Sequence, residues 1–104
     1  MTRVAFKMRL KPGCEAEYKA RHDAIWPELA EFIRQSGVRN YSIFRLDLDL
    51  FAYLEMDDTS PTRLSTEEVA PIQQRWWEMM EPLMECNDDA SPVVWPMEEM
   101  FHLD

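Results

Sequence analysis

The segment from Tyr18 to Leu29, YKARHDAIWPEL, sets a tyrosine and a histidine four residues apart, just ahead of a tryptophan and a proline. Residues i and i+4 share one face of a helix, so Tyr18 and His22 can point into a single cavity. His22 is one of only two histidines in the chain, and imidazole is the side chain whose ordinary pKa best suits proton transfer near neutrality. By type and position alone, a histidine on an apolar stripe is more often a core residue whose ring nitrogens are satisfied by neighbours. The company it keeps favours chemistry: Tyr18 stands one turn before it and Trp26 one turn after.

A second aromatic group lies in QRWWEMM. Adjacent helical positions differ by about 100°, so of Trp76 and Trp77 one faces the sheet and the other sits on a flank. They serve either as packing with an exposed edge or as a platform on which the apolar face of a ring stacks while an indole N–H donates a hydrogen bond. Tyr41 opens a strand beside Asn40, where its hydroxyl can reach a pocket roofed by the first helix; a strand aromatic packed on the sheet is the commoner role. Glu55 shares a strand face with Tyr53 and is either an edge charge or a buried acid.

Other chemistries lack their residues. The two glycines, Gly13 and Gly37, form no phosphate-binding loop. His22 and His102 are far apart and have no local partners with metal-ligand spacing, so no metal site is expected. Cys14 and Cys86 show no metal spacing either. The methionines gather at Met79, Met80, Met84, Met97 and Met100, where an adaptable core filler is the plain reading. A site of histidine, tyrosine and tryptophan suits proton transfer on a neutral ligand.

The charge agrees. Twenty acidic and 11 basic residues give a formal charge of −9, and the basic ones are scattered. That argues against nucleic acid or an anionic membrane as partner, and a neutral sugar meets no penalty. At 104 residues and 46% hydrophobic the chain makes a single domain, residues 1–104, with room for one cleft. The N-terminal MTRVAFKMRL lacks the apolar core of a secretion signal and no stretch is long enough to span a membrane, so the expected location is cytoplasmic, with reduced thiols.

The elements that must hold these residues follow from periodicity. Residues 3–10 alternate Val4, Phe6, Met8, Leu10 against Arg3, Ala5, Lys7, Arg9, the pattern of a half-buried strand. From Cys14 to Ser36 a helical stripe runs through Tyr18, His22, Ile25 or Trp26, Leu29, and Phe32 or Ile33, with Pro27 predicting a kink or break and the opening of a second segment. Such a kink would tilt His22 and Trp26 relative to Leu29. Gly37 ends the helix. Asn40 to Leu46 and Leu50 to Met56 make a hairpin around Asp47 to Asp49, and neither face of its second strand reads as fully solvated. Asp57 to Thr62 is a turn, Arg63 to Glu85 a helix restarting at Pro71, and Val93 to Leu103 holds a final edge strand. The order strand, helix, strand, strand, helix, strand is the βαββαβ arrangement of a ferredoxin-like α+β sandwich: a four-stranded antiparallel sheet with its helices on one face. The other face, partly apolar, is left for a second copy, so a homodimer is expected.

The residues also resemble a family. AFKMRLKPG, EYKARHDAIWPEL, NYSIF, LFAYLE, QRWWEMMEPLM and the closing MFHLD look like an L-rhamnose mutarotase nearly end to end, the RHxxIWPEL and QRWW blocks being the most specific. The resemblance implies a dimeric α+β barrel and interconversion of the α and β anomers of L-rhamnose without a cofactor. It implies His22 as proton donor and Tyr18, Tyr41, Trp76 and Trp77 as sugar-binding residues. Water, a tyrosine or Glu55 stand open as the base. The competing readings are a cofactor-free monooxygenase-like enzyme and a sugar-binding regulatory module on the same scaffold.

Overall fold

A computed structural model describes residues 2–57 and 70–104. The order is β1 (Thr2–Arg9), α1 (Glu15–Asp23), α2 (Pro27–Gln35), β2 (Val38–Leu46), β3 (Asp49–Met56), α3 (Pro71–Met80), a 3-10 turn (Glu81–Leu83) and β4 (Trp95–Met97). The four strands form one antiparallel sheet in the order β2-β3-β1-β4. The fold is the expected ferredoxin-like α+β sandwich.

Alternation in β3 sets the two faces. Leu50, Ala52, Leu54 and Met56 are all buried, and the register sets them opposite Met8, Phe6, Val4 and Thr2 of β1. Leu50 and Ala52 join Met8, Tyr18, Leu29 and Trp76 in the main core, while Leu54 and Met56 pack with Val38. Area removed from water at about 25 cal/mol per Å² makes this helix-covered face the chief stabilising layer. On the opposite face Phe44 and Leu46 are each 66% exposed, and the register puts Trp95 and Met97 on that same side, opposite Lys7 and Ala5.

The helical stretch from Cys14 to Ser36 is broken in two, with Pro27 opening the second helix as expected. Trp26, immediately before proline, is extended at φ −60° and ψ 129°, and Pro27 opens α2 where a missing N–H costs nothing. Ala24 to Trp26 therefore form a connection rather than a kink. α2 ends at Ser36, whose fully buried hydroxyl donates to the Phe32 carbonyl at 2.9 Å, and Gly37 turns the chain into β2 with φ 91°. β2 starts earlier than expected, at Val38.

Of the expected helix from 63 to 85, the part 63–69 lies outside the described residues, as does most of the turn at 57–62. α3 begins at Pro71 as anticipated, and Pro82 tightens its end into the 3-10 turn. The final strand is only three residues long, rather than filling 93–103. Pro96 sits within it and offers no N–H, which an edge position tolerates but cannot extend. Among the described residues no helix is long and apolar enough to cross a membrane.

Candidate active site

α1 carries Glu15 and Glu17 in its first turn, favourable to the helix dipole, and brings Tyr18 and His22 into contact one turn later. Their rings stack at 4.2 Å between centroids and 28° between planes. The Nδ1 of His22 lies 3.1 Å from the Tyr18 carbonyl oxygen. A carbonyl only accepts, so this contact requires the proton on Nδ1 and leaves the lone pair of the neutral ring on Nε2. Among the described residues Nε2 has no hydrogen-bond partner.

Burial lowers the His22 pKa; the Tyr18 carbonyl and the charge of Asp23 push the other way and do not offset it. The ring is therefore predominantly neutral at neutral pH, and its protonated form is a stronger acid than free imidazolium.

Trp76 closes the other side. It is 7% exposed, and its ring meets His22 edge-on at 5.3 Å and 84° and Trp26 at 5.2 Å and 85°. Trp76 thus packs its ring against both His22 and Trp26. Trp77, about 100° further round the helix, is half-buried at the margin of the core. The described residues include no ring contact between it and Tyr18 or His22. Arg21, which sequence reasoning passed over, ties the helices together: its Nε donates to Glu17 at 2.9 Å and its Nη1 donates to the Met79 carbonyl in α3. The i, i+4 spacing to Glu17 was the available signal; the bond to α3 had none.

Tyr41 arrives from the sheet. Arg39 pairs with Glu55 and Ser42 with Tyr53, so Asn40 and Tyr41 both stand opposite Leu54 in a β-bulge. Tyr41 leaves 40% of its surface open because β2 is an edge strand, yet burial of its hydroxyl end pushes the phenol up to about 12. Burial first, and the neighbouring Tyr41 phenol second, hold the Tyr18 hydroxyl protonated far beyond the ordinary range. Both phenols act as neutral hydrogen-bond groups near neutrality.

Glu55 occupies the other face of the sheet. Its carboxylate accepts from the Asn40 amide at 2.9 Å and from the Tyr53 hydroxyl at 3.2 Å. It is neither a plain edge charge nor a buried acid beside His22. Cys14 and Cys86 are both free and half-buried, and among the described residues no group of three or more His, Cys, Asp or Glu could hold a metal ion. Two surface hollows, one lined by Cys86, Asn87, Asp88, Asp89 and Ser91 and one by Trp26, Pro27, Glu28, Ile72 and Arg75, include neither Tyr18 nor His22 among their described walls.

A stacked tyrosine and histidine, a second phenol and an indole make an acid–base group in apolar surroundings. Comparison with known proteins agrees on one chemistry. A family model described as L-rhamnose mutarotase matches residues 3–103. An L-rhamnose mutarotase from Leptothrix cholodnii is 48% identical over 98% of this chain and 96% of its own length. Another from Phocaeicola vulgatus is 47% identical with both chains fully covered. A crystal structure of an L-rhamnose mutarotase from Formosa agariphila superposes with a TM-score of 0.89 at 38% identity, covering all of both chains.

Proposed function

Since the chain belongs to the L-rhamnose mutarotase family and is an isomerase acting on the anomers of L-rhamnose, we propose that His22 is its proton donor and that Tyr18, Tyr41, Trp76 and Trp77 bind the sugar. The observation that carries this reading is the contact between His22 Nδ1 and the Tyr18 carbonyl, which reserves Nε2 for exchange with a ligand.

Ring opening needs a proton delivered to the ring oxygen and one removed from the anomeric hydroxyl, so that the bond between the anomeric carbon and the ring oxygen breaks and an aldehyde forms. After rotation about the adjacent carbon–carbon bond, the freed hydroxyl attacks the other face of the carbonyl and the protons return. The two directions are equivalent, so the group that protonates the ring oxygen on opening takes the same proton back on closing. Imidazolium of lowered pKa is a good donor to a weakly basic ether oxygen, and the neutral ring is a good acceptor afterwards.

Of the three candidates for the second proton, water fits. Glu55 is on the opposite sheet face, and both tyrosines are held protonated. The phenols orient hydroxyls, and the indoles of Trp76 and Trp77 offer apolar surface to the ring face and methyl group of a deoxysugar. No cofactor enters the scheme. The family match does not favour the oxygenase or regulatory readings.

The enzyme is further proposed to work as a homodimer through the open sheet face, where Phe44, Leu46, Trp95 and Met97 are exposed, and in the cytoplasm, where Cys14 and Cys86 stay reduced. The function is tested by NMR saturation transfer between the α and β signals of L-rhamnose. Added protein accelerates exchange; an unchanged rate, or consumption of oxygen with an electron-rich aromatic substrate instead, overturns the reading.

A further inference from the structure

We propose that Asn40 and Glu55 are positioning residues for Tyr41: their hydrogen bond holds a one-residue β-bulge that turns Tyr41 from the open face of the sheet to the helix face, beside Tyr18. The inference rests on Tyr41 being a sugar-binding residue, as proposed above.

The register carries it. Val38 pairs with Met56 on the helix face and Arg39 with Glu55 on the open face. Continued without interruption, Asn40 would pair with Leu54 and Tyr41 with Tyr53, and Tyr41 would share the open face of Tyr53 and Glu55, since side chains alternate strictly with a period of two. The extra residue opposite Leu54 resets the count. Ser42 then pairs with Tyr53 and Ile43 with Ala52, and Tyr41 stands on the side of Val38 and Ile43.

The bulge needs a special backbone. Asn40 has φ 51°, a left-handed conformation that asparagine tolerates, glycine adopts freely and a β-branched residue strongly resists. Its side-chain amide donates to both carboxylate oxygens of Glu55, at 2.9 and 3.4 Å, and the Tyr53 hydroxyl steadies that carboxylate at 3.2 Å. This gives a role to an acid in a strand that beyond its opening Asp49 otherwise reads Leu50, Phe51, Ala52, Tyr53, Leu54 and Met56. Asn40 and Glu55 touch no substrate in this account; they act through Tyr41.

The test is a double-mutant cycle on kcat/KM for rhamnose anomer exchange, with exchange by the wild-type protein as its precondition, so that failure of the function itself is seen separately. Tyr41→Ala sets the size of the effect. Asn40→Val should lose about as much as Tyr41→Ala, roughly tenfold for one lost hydrogen bond to the sugar. Asn40→Gly, which permits the same backbone conformation but gives up the bond to Glu55, should lose only part of what Asn40→Val loses, and about as much as Glu55→Ala. The combined Asn40→Val/Tyr41→Ala protein should be no worse than Tyr41→Ala alone. If Asn40→Val does not fold, Glu55→Ala replaces it in the same cycle, with the same expectation of a loss that vanishes without Tyr41. A loss that multiplies with Tyr41→Ala, or no loss at all, overturns the proposal.

Discussion

The imidazole of His22 and the backbone carbonyl of Tyr18 meet at 3.1 Å, within one turn of the same helix. The tyrosine thereby fixes the histidine twice: its carbonyl sets the tautomer and its ring, stacked at 4.2 Å, sets the plane. A side chain held by two contacts from one residue needs little reorganisation when a sugar arrives.

The lowered pKa of His22 has a sign that kinetics can read. The donor form grows as pH falls from about 8 toward the depressed value, so the His22-dependent part of the exchange rate should rise over that range and vanish in His22→Asn. A His22-dependent rate that falls instead would make the neutral ring the entering form and refute the donor role. Saturation-transfer rates of both proteins across pH decide it.

Trp76 and Trp77 should part in urea unfolding. Trp76 is buried against both His22 and Trp26, and its replacement by alanine should cost about 3–5 kcal/mol. Trp77, half-buried, should cost less than about 2 kcal/mol while still weakening sugar binding. Equal costs would mean that the two are core residues alike.

The open sheet face gives a prediction of mass. Phe44→Glu with Leu46→Glu places charge on the exposed apolar strand, where each residue is 66% exposed. Light scattering should return twice the single-chain mass for the wild type and the single-chain mass for the variant. A wild-type protein of single-chain mass would remove the dimer.

Local rules made much of this legible in advance. The alternation of Val4 to Leu10, the proline at 27 with an extended Trp26 before it, and the glycine at 37 each act within a few residues, and each lies where those rules put it. The i, i+4 spacing of Tyr18 and His22 likewise became a ring stack, and the adjacent tryptophans divided into one buried and one flanking. What was hidden depends on register across strands or on tertiary contact. Nothing in NYSIF marks a bulge, since asparagine there stands in for the glycine that usually signals one, so the face reached by Tyr41 and the partner of Glu55 could not be read. The packing of Trp76 against both His22 and Trp26, and the bond from Arg21 to α3, join segments more than 40 residues apart in the chain.

The role of His22 is tested most directly by NMR saturation transfer between the anomers of L-rhamnose with wild-type and His22→Ala proteins, each shown folded by circular dichroism. General acid–base assistance is worth roughly 10²- to 10⁴-fold, so His22→Ala should lose that much of the protein-dependent exchange while keeping its fold. Full exchange by folded His22→Ala would contradict the assignment of His22 as the proton donor.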